Sequence, residues 1–204
     1  AGSTASPPGS IIWSLAESND GAVWLGGQGE VWRFAPGSGE LTTMPLPAAT
    51  GGADVTDLLL HSSGSLWAAV AGYGLVEIAA GKVRSGVVPL PNAAGLPSAQ
   101  LLSLAEAPDG SLLLGTADIG LVQMDVDSGA FVSVQLPDRT HGSTPVPRLA
   151  IHDLLVTREG RLFAATDGNE LVEVDPTAGT IRTYSLPSSS QFGNALISLS
   201  EADD

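Results

Sequence analysis

Apolar residues along this chain fall in short runs bounded by glycine, serine and proline, and no window sustains a helical period. The runs repeat. Gly21, Gly64, Gly110 and Gly160 each follow an acidic or small polar residue (Asp20, Ser63, Asp109, Glu159). Three positions after each comes a large apolar residue: Trp24, Trp67, Leu113 and Phe163. Leu-Pro then recurs at Leu46-Pro47, Leu90-Pro91, Leu136-Pro137 and Leu186-Pro187, beginning 26 residues after the glycine in the last three units and 25 in the first. A register held four times is an internal repeat, and each unit reads as four short strands.

The first strand of each unit is apolar and rises to the glycine: Ile11–Ser18, Val55–Ser62, Leu101–Pro108 and Ile151–Arg158. The Asp-Gly or Ser-Gly step is turn chemistry, because glycine tolerates positive φ and Asp or Ser bonds its own backbone. Second strands follow at Val23–Gly26, Leu66–Ala71, Leu112–Thr116 and Leu162–Thr166, and third strands at Val31–Phe34, Leu75–Ile78, Leu121–Asp125 and Leu171–Asp175. A fourth strand ends each unit at Leu-Pro, where proline suits an edge because it has no N–H to give a central ladder.

A unit of about 45 residues with four antiparallel strands is the signature of a propeller blade. The expected fold is all-β: four full blades at about 11–47, 55–91, 101–137 and 151–187. Residues 196–204 read as the first strand of a further blade, which implies part of a larger ring. A four-blade ring with that strand as a clasp is the alternative. The blades also alternate. Ser14–Glu17, Ser103–Glu106 and Ser198–Glu201 share Ser-Leu-Ala/Ser-Glu, whereas Asp57–Leu59 and Asp153–Leu155 read Asp-Leu-Leu. Leu25-Gly26 and Leu114-Gly115 likewise stand against Ala68-Ala69 and Ala164-Ala165. Duplication of a two-blade unit accounts for both patterns and favours an even number of blades.

Composition narrows the function. With 22 acidic and 8 basic residues the net charge is -14, and Lys82 is the only lysine. No cationic patch forms to neutralise phosphates, so nucleic acid is not an expected partner, nor is an anionic membrane surface. The absence of cysteine removes thiolate chemistry, disulfides and zinc sites built on Cys. No apolar stretch approaches the roughly 20 residues of a membrane helix. Ala1–Ser10 has neither the charged start nor the apolar block of a signal peptide.

The third unit carries a family resemblance. Gly95-Leu96-Pro97-Ser98 and Leu101–Pro108 lead to Asp109-Gly110-Ser111-Leu112-Leu113-Leu114-Gly115-Thr116, then Gly120-Leu121 and Asp125. This resembles the two-component regulator propeller repeat, whose consensus runs through D-G-x-L-W-x-G-T, a G-L pair and an acidic residue. Leu113 and Phe163 replace its tryptophan, and Glu170-Leu171 replaces Gly-Leu. The resemblance implies the periplasmic or extracellular sensor region of a bacterial histidine kinase or diguanylate cyclase, binding a small molecule or carbohydrate. The output domain it implies is absent from these residues. The streptogramin lyase propeller also uses D-G-x-L-W with units ending in L-P, but its catalytic histidine and metal carboxylates match no motif here.

No catalytic residue, metal site or cofactor is expected. Asp20, Asp109 and Asp204 hold the turn position and cap turns. His61, His141 and His152 lack metal-ligand spacing. Glu17, Glu106 and Glu201 form a ring that faces either the central channel or solvent, and Trp24, Trp67 and Phe163 pack blade against blade. Second-to-third loops and blade connectors emerge on one rim, and connector length varies there: 7, 9, 13 and 8 residues. Ligand-binding residues are expected on that rim: Gln28, Tyr73, Asp118 and Asn169 from the loops, Arg139, His141 and Arg148 from the longest connector, and Phe192 from the last. A homodimer or a companion propeller fragment would complete the ring. A protein-interaction scaffold is a further alternative.

Overall fold

A computed structural model describes residues 11–79, 82–83, 100–134, 136, 140–141, 144–145, 150–167, 170–175, 180–185 and 196–202. Blade 1 comprises β1 (Ser14–Glu17), β2 (Val23–Gly26), β3 (Glu30–Ala35) and β4 (Glu40–Pro45). Blade 2 comprises β5 (Val55–Leu60), β6 (Leu66–Val70), β7 (Gly74–Ala79) and β8 (Lys82–Val83). Blade 3 comprises β9 (Leu101–Glu106), β10 (Leu112–Thr116), β11 (Leu121–Met124) and β12 (Phe131–Val134). A small hairpin, β13 (Thr140–His141) with β14 (Thr144–Pro145), lies in the longest connector. Blade 4 comprises β15 (Ile151–Val156), β16 (Leu162–Thr166), β17 (Glu170–Asp175) and β18 (Thr180–Ser185). Within each blade the four strands are neighbours in chain order and antiparallel, as the repeat predicts.

The glycine turns are built alike. Gly21, Gly64, Gly110 and Gly160 have φ of 76, 86, 82 and 79°, the left-handed region that a side chain disfavours. Each glycine N–H donates to the carbonyl three residues back, at Ser18, His61, Ala107 and Thr157, over 2.8–2.9 Å. The first strands β1, β5, β9 and β15 pack successively against one another, so the blades converge on them.

The core is divided into layers between blades rather than gathered in one centre. On β6, Leu66, Ala68 and Val70 face blade 1, whereas Trp67 and Ala69 face blade 3. On β10, Leu112 and Leu114 face blade 2, and Leu113 faces blade 4. Period-two alternation in a strand covered on both faces makes every residue apolar, which is why the second strands read as continuous hydrophobic runs. Trp24 fills the layer between blades 1 and 2 and Trp67 the layer between blades 2 and 3, the packing role expected of them. Phe163 instead lies beneath the Arg161 guanidinium, 4.9 Å from its ring centre.

Register explains the two-blade alternation. Opposite Ser14 and Ser103 stand Gly26 and Gly115; opposite Asp57 and Asp153 stand Ala69 and Ala165. A Cβ on Gly115 would lie 2.2 Å from Ser103 Oγ and 2.8 Å from Ile151 Cγ2 of the next blade. A Cβ on Gly26 would lie 2.3 Å from Ser14 Oγ and 2.7 Å from Val55 Cγ1. The odd blades therefore need glycine because the following blade presses a β-branched side chain into that spot. One extra residue bulges the inner strands of blades 2, 3 and 4 just before this pair: Thr56, Leu102 and His152.

Candidate functional site

Three groups of polar side chains occupy the blades, at the inner edge, the turn rim and the connector rim. At the inner edge, Asp57 uses both carboxylate oxygens. Oδ1 accepts the N–H of the following Leu58 at 2.8 Å, and Oδ2 accepts the N–H of Leu104 on the next blade at 2.7 Å. Asp153 does the same, with Leu154 at 2.9 Å and Leu199 at 2.6 Å. Leu58, Leu104 and Leu154 stand six residues before their turn glycines, and Leu199 follows Ser198 as Leu104 follows Ser103, so one carboxylate in each two-blade unit serves two equivalent backbone amides. Burial pushes the Asp57 carboxyl up to about 6; the two amide bonds pull it down, and the Asp153 charge adds to the rise.

A second contact runs the same way. Glu106 accepts the Ser62 N–H of blade 2 at 2.8 Å, and Glu201 accepts the Arg158 N–H of blade 4 at 3.1 Å. These glutamates clasp neighbouring backbone, Glu106 half-buried and Glu201 exposed, a structural contact that the expectation of a channel or solvent did not include. His61, buried, completes the clasp at blades 2 and 3: Nε2 contacts the Gly110 carbonyl and Nδ1 the Ser63 hydroxyl, both at 2.8 Å.

On the turn rim the aspartates cap turns, as expected of Asp20 and Asp109; Asp204 lies outside the described residues. Asp20 accepts from Ser18 Oγ and the Ala22 N–H, and Asp109 from the N–H and hydroxyl of Ser111. These bonds hold both carboxyls below the usual range, the serine hydroxyl being the largest cause in each. Two grooves open between blades on this rim. One of about 260 Å³ lies between blades 1 and 2, beside Asp20, Trp24 and Arg33. The other, about 350 Å³, lies between blades 3 and 4, beside Asp109, Gly160, Arg161 and Glu173. Arg33, Asp20, Arg161 and Glu173 among their charged groups have partners. Arg33 pairs with Asp20. Arg161 donates twice to Glu173 Oε1, at 2.7 and 2.9 Å, and Tyr184 donates to Oε2 at 2.6 Å. The Tyr184 hydroxyl first, then Arg161, keeps the Glu173 carboxyl low.

The connector rim carries the residues expected to bind ligand. Gln28 is exposed on the β2–β3 loop, its backbone bridged to Asp54 in the first connector. Tyr73, on the β6–β7 turn, is half-buried against the layer between blades 1 and 2. Asp118 is exposed on the β10–β11 loop, which Thr116 braces by donating to the Gly120 carbonyl and accepting the Ile119 N–H. No hydrogen bond among the described residues joins these three. Asn169, Arg139, Arg148 and Phe192 lie outside the described residues, and of His141 only the backbone is described, paired with Thr144. The same rim holds a pair that strand reading missed: His152 Nε2 against the Asp167 carboxylate. His152 is the bulged residue of β15, and Asp167 directly follows β16. A histidine at the bulge position, opposite the end of the second strand, was the available signal.

The arrangement of blades has counterparts among solved structures. Virginiamycin B lyase from Staphylococcus aureus superposes with a TM-score of 0.69 and 18% identity, over 87% of this chain and 56% of the lyase. The extracellular domain of a hybrid two-component system protein from B. thetaiotaomicron gives 0.65 and 19%, over 91% of this chain and 23% of that one. The WD40 domain of Neurospora crassa Pan2 gives 0.65 and 18%, over 88% and 52%. This chain has the β-propeller fold. It spans a little over half the length of the lyase. No family model and no curated protein matches the sequence. Among the described residues no helix is long and apolar enough to cross a membrane.

Proposed function

We propose that this chain is a ligand-reading segment of an extracytoplasmic sensor propeller, with its ligand, a small molecule or carbohydrate, held on the connector rim and its occupancy passed to an output domain. The observation that carries the reading is how polar side chains are distributed. Asp57, Asp153, Glu106 and Glu201 are engaged with backbone of neighbouring blades, and on the turn rim Arg33 pairs with Asp20 and Arg161 with Glu173. The connector rim, with exposed Gln28 and Asp118 and connectors of unequal length, is where side chains remain available over a rigid scaffold. The likeness to extracellular domains of B. thetaiotaomicron two-component proteins supports a periplasmic or extracellular setting. A ring of packed blades deforms little, so occupancy would be relayed through packing at its edges. The test is thermal unfolding against a panel of soluble oligosaccharides and small metabolites. A ligand should raise Tm, and Gln28→Ala with Asp118→Ala should remove the rise while leaving the ligand-free Tm within 1–2 °C or so. A ligand effect indifferent to both substitutions, or no effect from any compound, contradicts the reading.

The His152–Asp167 pair favours a second reading, an enzyme resembling streptogramin lyase. A carboxylate bonded to one ring nitrogen orients a histidine for proton transfer at the other. Metal-dependent turnover of quinupristin, abolished by His152→Ala, would establish that reading and displace the sensor.

A further inference from the structure

His61 departs from the repeat. The residue whose carbonyl closes the glycine turn is Ser18 in blade 1, His61 in blade 2, Ala107 in blade 3 and Thr157 in blade 4. Ala107 shows that a methyl group suffices at this position. The hydroxyls of Ser18 and Thr157 bond within their own turns, one donating to the Ala22 carbonyl and the other accepting the Arg161 N–H. The His61 ring instead spans two blades, buried between its own turn and that of blade 3. Each ring nitrogen meets a group that fixes its role. The Ser63 N–H donates to Nδ1 at 3.1 Å, so Nδ1 is an acceptor. Nε2 faces the Gly110 carbonyl at 2.8 Å, so Nε2 carries the proton. The Ser63 hydroxyl, 2.8 Å from Nδ1, can donate or accept.

A second proton on this ring has one place to go, Nδ1, where it faces the Ser63 N–H donor to donor. The hydroxyl can turn to accept it; the amide cannot and must move away. The same proton charges the ring. Glu106, at the end of β9, holds Oε1 3.5 Å from Nε2 while its Oε2 accepts the Ser62 N–H. The other carboxylates on the elements packed here are engaged elsewhere. Asp57, on the same strand direction, accepts the Leu58 and Leu104 amides, Asp109 bonds Ser111 and Gln123, and Glu77 on β7 accepts the Ser65 hydroxyl. We propose that His61 is a proton-operated latch between blades 2 and 3. Neutral, it ties the turn at residues 61–64 to the Gly110 carbonyl. Protonated, it releases the Ser63 amide and draws Glu106 into an ion pair, so acid loosens the turn of blade 2 while tightening its joint with blade 3. Histidine is the side chain suited to change charge between about pH 5 and 8, which makes this joint a point where a rigid scaffold responds to acidity. The latch lies on the turn rim and does not rest on what the connector rim binds.

Ring-nitrogen and amide NMR of the whole chain, followed from about pH 8 to about pH 5, tests it. At the upper end the ring shifts should report a proton on Nε2. As the ring gains its charge, the Ser63 amide should shift with the same midpoint and lose protection from exchange by about tenfold or more. The Gly21 and Gly160 amides, in turns without a histidine, should keep their protection. Glu106→Gln, which retains an acceptor for the Ser62 N–H, should move the midpoint to lower pH, and His61→Gln should abolish the response of Ser63. A Ser63 amide that stays fixed while the ring titrates overturns the proposal. So does a ring that remains neutral throughout the range, a proton found on Nδ1 at the upper end, or a midpoint indifferent to Glu106→Gln.

Discussion

Asp57 concentrates the physical problem of the inner edge in one side chain. An innermost strand has a ladder partner on one side only, so alternate N–H groups point toward the axis and need an acceptor. A single carboxylate with two oxygens serves two of them, Leu58 in its own blade and Leu104 in the next. Placing that charge among packed blades costs solvation, which is why its pKa is raised from 3.8 to about 6. The direction of the pH effect follows. An acid whose folded pKa lies above its unfolded value binds a proton more readily when folded, so its stabilising contribution is complete below pH 3.8. That contribution is lost as pH rises through about 6. About 2 units at 1.36 kcal/mol each make the loss roughly 3 kcal/mol. Urea unfolding between pH 4 and 7 should thus give a stability difference, Asp57→Asn minus wild type, that grows with pH by up to about that amount. A difference independent of pH would mean that Asp57 is charged in the fold at no cost.

At the scale of the strand and blade, the pairing Ser103–Gly115 under Ile151 and its counterpart Asp57–Ala69 define two blade types. Gly115→Ala should destabilise by about 1–3 kcal/mol, because backbone as well as side chain stands in the way of the new methyl group. Ile151 O would lie 2.9 Å from that methyl, so Ser103→Ala added to it should recover only part of the loss in urea unfolding. A full recovery would place the whole clash at the Ser103 hydroxyl. The strands themselves were largely legible: three of the four second strands begin and end where the apolar runs do, at Val23–Gly26, Leu112–Thr116 and Leu162–Thr166. The first strands are shorter than their apolar runs, because residues 18, 61, 107 and 157 already belong to the turns that the glycines close. The β13–β14 hairpin lies in a stretch whose prolines read as connector, although Gly142-Ser143 is a two-residue hairpin signal. The 3₁₀ turn at Ala48–Thr50, ended by left-handed Gly51, is too short to leave a period.

For the whole molecule, the alternation was visible in the sequence but its cause was not. Asp57 and Leu104 are 47 residues apart, and only the stacking of blades brings a carboxylate of one to an amide of the next. The same distance hid the role of Glu106, which strand periodicity alone could assign only to a channel or to solvent. Half of the expected ligand-binding residues, Arg139, Arg148, Asn169 and Phe192, lie outside the described residues. The rim itself followed from topology, because an antiparallel blade must put its second-to-third loop and its connector at the same end. The scaffold logic therefore separates cleanly: carboxylates at the inner edge hold blades in order, and the connectors above them are left to vary.

That separation rests on the aspartates joining blades one by one, and site-resolved amide hydrogen exchange tests it most directly. In Asp57→Ala the Leu104 N–H loses its acceptor, a cost of about 1–3 kcal/mol, and should exchange at least about tenfold faster than in the wild type while Leu199 is unchanged. In Asp153→Ala the pattern should reverse, with Leu199 accelerated and Leu104 protected as before. Leu104 and Leu199 responding together to either substitution, or neither responding, would contradict a propeller whose blades are joined by separate carboxylates.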